Sequence, residues 1–280
     1  MIKHRLIATL LVNNGVVVQT RKFKRTNMVG NAFTAVDFFN GWAVDEICVL
    51  EISNDRSHLP GFADIIDGLS RRCFVPLSVG GKIAGLDDVH RYIRAGADKV
   101  VVNTGASDNP ALVGEIARAY GTQCVVVSID ARPDPAMPSG YRVVVDNARR
   151  DTDRDARDWA REAAGAGAGE LLVNSVEHDG DKRGYDFTLL KAVSGAVAIP
   201  VIAMGGVGQW SDLVDGIRLG GADAAAAGNI FHYSEHSTKK AKEFMFAAGL
   251  PVRSSTFYKL TTRRRVRYNP FQGAAAARQA

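Results

Sequence analysis

The sequence predicts an α/β protein, a (β/α)8 TIM barrel made of two similar (β/α)4 halves over residues 1–258, with a basic tail at 259–280. Three observations predict it. Eight short β-branched runs alternate with eight amphipathic helical stretches. Several runs are apolar almost throughout, such as CVVVSI at 124–129, which marks parallel strands covered on both faces. The chain also repeats itself at about half its length. A span of roughly 250 residues is usual for a closed barrel and favours one over a doubly wound sheet.

The elements follow in order. RLIATLLV supplies the first strand at 5–12, and a helical pattern follows at 32–42 after the loop TRKFKRTNMVGN at 20–31. The second strand, 46–52, lies within DEICVLEIS and leads to a helix at 60–72. VPLSV (75–79) precedes the helix at 86–95, and DKVVVN (98–103) precedes the one at 109–119. The second half runs the same way: strand 123–130 with helix 154–166, strand 169–175 with helix 187–194, strand 199–204 with helix 211–219, and strand 223–228 with helix 235–247.

The repeat joins these halves. Pro76 and Pro200 are offset by 124, Gly80-Gly81 and Gly205-Gly206 by 125, and the Gly-Ala-Asp triplets at 96–98 and 221–223 also by 125. DEICVLEIS at 45–53 pairs with GELLVNSVE at 169–177. A barrel of two similar halves is expected to carry two similar sites on opposite sides of its mouth.

Composition bounds the function. With 280 residues, 46% hydrophobic and 23% charged, the chain is neither disordered, collagen-like nor a disulfide mini-protein. Cys48, Cys73 and Cys124 lie far apart without a C-x-x-C, which argues against structural zinc and suits reduced thiols in a cytoplasmic protein. No apolar run reaches the roughly 18 residues of a membrane span, so no membrane partner is expected. The net charge of +5 equals the five arginines of residues 261–280, which hold no acid, so the remaining residues sum to zero. That tail, with interleaved Tyr268 and Phe271, carries too few cations and aromatics to argue nucleic-acid binding.

In this fold the site lies at the C-terminal ends of the strands. Gly80 and Gly81 after the third strand, and Gly205 and Gly206 after the seventh, let backbone approach an anion closely, or else make tight turns. Asn103 and Thr104 after the fourth strand, and Gly228 and Asn229 after the eighth, would add donors. Two cradles of this kind imply a ligand with phosphate at both ends. Asp130 ends the fifth strand and reads either as a structural cap or as a general acid or base. Glu51 at the end of the second strand has the same two readings. Asn174, Ser175 and Asp179 follow the sixth strand, and Asp179-Gly180 reads first as a turn.

At the opposite end, Arg5, Glu46, Lys99 and Glu170 start strands, with Asp98 beside them on the rim. They face solvent, or they pair into a charged ring closing a passage through the barrel. Loop 20–31 holds four cations and is either solvated or a mobile flap over phosphate. His232-x-x-Glu235-His236 matches a zinc-protease pattern, but it straddles a helix start and reads better as a packed or solvated pair. No metal and no cofactor are expected.

The stretches GADKVVVNT (96–104), VVVSIDAR (125–132), HDGDKRGYD (178–186), PVIAMGGVG (200–208) and GADAAAAGNIFH (221–232) resemble the cyclase subunit of imidazole glycerol phosphate synthase over roughly residues 1–255. The resemblance implies a bisphosphorylated ligand bound at both Gly-Gly pairs, ammonia supplied by a glutaminase partner, and Asp130 as one of two catalytic aspartates. It further implies that Arg5, Glu46, Lys99 and Glu170 gate ammonia at the floor and that Asp98 meets the glutaminase.

The departures lie at the mouth. Where that family has its first catalytic aspartate this chain has Leu11, and its lysine eight residues on is Gln19. Glu51 stands for an aspartate, Lys82 for the glycine after the first Gly-Gly pair, and Met204 for a serine. Replacing a carboxylate by leucine removes a proton-transfer contribution commonly worth about 10²–10⁴ in rate. The segment LLVNNGVVVQTRKFKRTNMVGNAFTAVDFFNGWAVDEI instead resembles a divergent branch associated with sugar amidation in surface-polysaccharide biosynthesis. The expectation is a barrel that takes ammonia from a glutaminase, binds a phosphorylated small molecule and serves an ATP-dependent amidotransferase. Its alternatives are a working cyclase or a silent scaffold that activates the glutaminase.

Overall fold

The computed structural model describes residues 3–233 and 236–253. β1 (Arg5–Asn13) runs straight into a hairpin of β2 (Val16–Arg21) and β3 (Lys24–Gly30), and α1 (Ala32–Gly41) returns the chain to β4 (Glu46–Glu51). α2 (Leu59–Ser70), β5 (Leu77–Gly80), α3 (Leu86–Arg94), β6 (Lys99–Val102), the short α4 (Thr104–Asp108) and α5 (Ala111–Tyr120) complete the first half. In the second half β7 (Val125–Pro133) also runs into a hairpin, β8 (Tyr141–Val145) and β9 (Arg150–Asp155), before α6 (Ala156–Ala166) and β10 (Glu170–Ser175). α7 (Phe187–Ser194), β11 (Val201–Met204), α8 (Trp210–Arg218), β12 (Ala224–Ala227) and α9 (Ser237–Ala247) follow.

Eight strands pair in parallel in the order β1-β4-β5-β6-β7-β10-β11-β12, and β12 pairs with β1, so the sheet closes into the expected (β/α)8 barrel. Two apolar layers hold it. An outer layer lies between strands and helices, and an inner one fills the barrel with Ile7, Cys48, Val126, Leu172, Ile202 and Ala226. Helix starts are fixed by side chains that take up otherwise unpaired N–H groups. Asn31 accepts from Phe33, Asp155 from Arg157 and Asp158, and Asp186 from Leu189.

Two regions differ from the sequence expectation. Residues 20–31 are not a loop: they include most of an antiparallel hairpin, because β1 overshoots the barrel and Leu11–Asn13 pairs with Val16–Val18. Likewise Asp130–Pro133 of β7 pairs with Tyr141–Val144, which delays the helix expected at 154 until Ala156. Both hairpins rise over the mouth. The tail at 259–280 and Glu235 lie outside the described residues.

Candidate functional site at the mouth and floor of the barrel

The C-terminal strand ends enclose a cavity of about 1190 Å³, lined by residues that include Glu51, Gly81, Lys82, Asn103, Asp130 and Asn174. Asp130 receives hydrogen bonds from Asn103 Nδ2 at 3.1 Å and from Ser128 Oγ at 3.3 Å. Burial pushes its pKa up to about 7, the Ser128 bond opposes that, and the nearby charge of Asp179 adds to it. Asp179 is itself buried, which raises its pKa, although the Phe23 N–H, at 2.9 Å, and Thr20 favour its charged form. Asp179 is therefore both the turn residue expected and a second carboxylate in the mouth. Its signal in the sequence was only its place after a strand, shared with every turn residue there.

Strand register explains the asymmetry of this site. Asp130 lies opposite Asn174 across the β7–β10 pair, and Leu11 lies opposite Leu50 across β1–β4. β4 and β10 are repeat mates, so Leu11 occupies in the first half the position Asp130 holds in the second. Leu11 and Leu50 pack with Met204 onto the apolar barrel interior. One side of the mouth floor is thus acidic and the other hydrocarbon. Glu51 binds the Ser53 N–H through Oε1 at 2.7 Å, while its Oε2 and the Oδ1 of Asn174 are buried without a hydrogen-bond partner.

On the first-half side, Lys82 lines the cavity with its Nζ 3.7 Å from Asp146 Oδ1. Thr104 Oγ1 accepts the Asp146 N–H at 3.0 Å, which hangs the tip of the β8–β9 hairpin over Asn103 and Thr104. Arg56 and Arg149, which sequence reasoning did not single out, line the same side. Gly80 ends β5 just behind this surface.

On the second-half side the hairpin β2–β3 lies over the Gly180, Gly205-Gly206 and Gly228-Asn229 turns. Thr20 O accepts from Asn229 Nδ2 at 2.9 Å, Arg21 pairs with Asp181 at 2.7 Å, and Lys22 pairs with Glu177 at 2.7 Å. Gln19 Oε1 accepts from Tyr233 OH at 2.9 Å. A small cavity of about 30 Å³ lies at these glycine turns, and the main cavity reaches this side as well, where Lys22, Lys24, Arg25 and Asp179 line it. Ser175 is turned away from the mouth, donating to Asp186 Oδ2 at 3.1 Å.

At the floor the four charged strand starts converge. Arg5 Nη1 lies 2.6 Å from Glu46 Oε2 and its Nη2 3.1 Å from Glu170 Oε1; Lys99 Nζ lies 3.0 Å from Glu46 and 3.1 Å from Glu170. Ser78 Oγ completes Glu46 at 2.5 Å. Burial opposes the Arg5 charge, but Glu170 and Glu46 outweigh it and raise its pKa. Glu46 and Glu170 are repeat mates; the two cations are not. Asp98 lies exposed on the rim and accepts the Leu77 N–H at 2.8 Å.

His232 is packed at 6.0 Å on the Phe39 ring, and burial lowers its pKa to about 4. Among the described residues no group of three or more His, Cys, Asp or Glu could hold a metal. No helix there is long and apolar enough to cross a membrane.

The model of the histidine biosynthesis protein family matches residues 5–237. The chain belongs to that family. It is also 43% identical over 256 residues to a Vibrio vulnificus (strain YJ016) protein provisionally named imidazole glycerol phosphate synthase subunit hisF2, which covers 91% of this chain and 93% of that one. The cyclase-subunit resemblance read from the sequence is thereby shown.

Proposed function

We propose that this barrel is the ammonia-receiving subunit of a glutamine-dependent amidotransferase complex. Its mouth takes a phosphorylated small molecule, and its product serves sugar amidation in surface-polysaccharide biosynthesis by an ATP-dependent partner. The charge ring of Arg5, Glu46, Lys99 and Glu170 carries the reading. It seals the floor beneath an interior lined by Ile7, Val126, Leu172, Ile202 and Ala226. Such an interior passes neutral ammonia and rejects ammonium, because an unpaired charge loses its hydration there. A glutaminase docked below would release ammonia at the ring, and Lys99, bound to both acids, is the side chain whose movement opens it.

The mouth supports delivery over cyclisation. Asp130, with a pKa near 7, can hold or yield a proton at neutral pH, but its repeat position opposite is Leu11. In the complex reconstituted with its glutaminase, Lys99→Ala should leave glutamine hydrolysis running while glutamine-dependent product falls about tenfold or more, as expected for a loss of positioning. Unchanged coupling refutes the gate.

A second reading, a working cyclase of histidine biosynthesis, draws support from the neighbouring Asp130 and Asp179, which offer two carboxylates without Leu11. Turnover of the bisphosphorylated ribulosyl-carboxamide intermediate with ammonium salt, at the rate of a histidine-pathway cyclase, would establish it.

A further inference from the structure

The charged ring at the floor continues upward into a polar row. Lys99 on β6 lies beside Ser78 on β5, Ser78 beside Cys48 on β4, and Cys48 beside Thr9 on β1. All four positions face inward. Lys99 belongs to the ring, Ser78 donates to Glu46 at 2.5 Å, Cys48 packs in the inner apolar layer, and Thr9 alternates with the inner residues Ile7 and Leu11. Strands tilt in a barrel, so a row drawn across them climbs. The ring itself measures the climb. Lys99 stands at ring level, Cys48 two residues above Glu46, and Thr9 four above Arg5, about 13 Å along the strand. Leu11, the next inward residue, already lines the mouth cavity. The row therefore runs from gate to mouth.

Its members keep hydrogen-bonding atoms inside the barrel. Burial and the charge of Glu46 raise the pKa of Cys48, which stays a thiol. Thr9 is only 1% exposed, and its Oγ1 has no hydrogen-bond partner. A buried hydroxyl left unpaired costs folding free energy that a valine of the same shape does not. On the facing strands Val126, Leu172 and Ile202 are hydrocarbon, so this row is the polar side of the passage. A molecule stripped of water there gains most from the row if it both donates and accepts. Ammonia does, with three N–H groups and a lone pair.

We infer that Thr9 is a station for ammonia inside the barrel, its hydroxyl replacing a hydrogen bond to water lost at the ring, with Ser78 and Cys48 as the steps below it. This rests on the reading that the barrel receives ammonia from a glutaminase.

The complex reconstituted with its glutaminase and amidotransferase tests it, fed amide-¹⁵N glutamine together with unlabelled ammonium chloride. Bulk ammonium reaches the mouth without crossing the floor. The ¹⁵N/¹⁴N ratio of the product, read by mass spectrometry, therefore reports passage through the interior. Thr9→Val removes the hydroxyl and keeps the shape. The ratio should fall about tenfold, the loss of one hydrogen bond to a molecule with no water to replace it. Thr9→Ser keeps the hydroxyl and should stay within about twofold of wild type. The melting temperature of Thr9→Val should rise by about 2–4 °C, since no partner is abandoned. A wild-type ratio in Thr9→Val overturns the station, while a ratio lowered by Lys99→Ala in the same experiment leaves ammonia delivery standing. If neither variant lowers the ratio, the delivery reading falls with it. A melting temperature lowered by Thr9→Val would give the hydroxyl a partner in the fold, which overturns the station too.

Discussion

Asp130 is held by only two neutral donors, Asn103 and Ser128, and has Asp179 for company. Unfolding returns its pKa from about 7 to the ordinary 3.8. The native state therefore binds more protons than the unfolded chain between these values, and stability falls as pH rises through that window. Below it both states are protonated and no cost arises. The full interval corresponds to about 4 kcal/mol, and access of solvent from the cavity reduces this to about 2 kcal/mol. Asp179 is shifted the same way, by its own burial. Asp130→Asn should raise the melting temperature by about 4–8 °C at pH 8, taking 2–4 °C per kcal/mol for a barrel of this size, and by almost nothing near pH 4. Scanning calorimetry across that range reads it; a pH-independent difference would mean that Asp130 is charged throughout. A site that retains such a cost is under a functional constraint, and proton handling at the mouth is the constraint proposed.

The hairpin β2–β3 was only half legible in the sequence. Asn14-Gly15, both left-handed at φ 51° and 79°, is the pair that a tight turn from β1 into β2 requires, whereas the turn between β2 and β3 is made by Lys22-Phe23, left-handed at φ 51° and 61°, residue types that do not signal one. The cations of 20–31 drew attention to a flap instead, and the pairing depends on how far β1 overshoots the barrel, which no local pattern encodes. The β8–β9 hairpin had still less signal. Its tip runs through three successive left-handed residues, Asp146, Asn147 and Ala148, at a cost of about 1 kcal/mol or more each. Contacts from far along the chain hold it: Asn147 donates to Ile52 O at 3.0 Å and Arg149 to Asn54 at 3.1 Å. For β2–β3 the fulcrum is Gly180, left-handed at φ 67°, where an added Cβ would collide with the Thr20 carbonyl. Gly180→Ala should therefore lift the hairpin from the mouth. Trypsin cleavage at Arg21–Arg25 should rise about tenfold, since local opening governs cutting of native chains, with the barrel melting nearly as before. Cleavage at the wild-type rate would show that this turn does not hold the cover.

For the whole molecule, the repeat revealed more than any single motif. It located both Gly-Gly turns, paired Glu46 with Glu170, and matched Asp98 with Asp223 before any strand was placed. It did not reveal that this last pair belongs to the fold. Asp223 accepts the Val201 N–H at 2.9 Å just as Asp98 accepts that of Leu77 at 2.8 Å, and Asp45 does the same for Leu6 at 2.9 Å. An aspartate before each of these strands thus ties it to its neighbour at the barrel floor, and that role alone would retain Asp98. A glutaminase docked on the floor would use its charge as well, and the two roles separate by substitution. Asp98→Asn keeps an acceptor for Leu77 and removes the charge, so the melting temperature should stay within about 1–2 °C, because a neutral hydrogen bond replaces a solvent-exposed one to a carboxylate whose net advantage in water is small. If Asp98 also meets a cation of the partner, the dissociation constant of the complex should rise about tenfold, the loss of an interfacial ion pair. Asp98→Ala should lower both stability and affinity. An Asp98→Asn complex as tight as wild type would leave Asp98 a strand clasp alone, and the docking charge would have to be sought elsewhere on the rim.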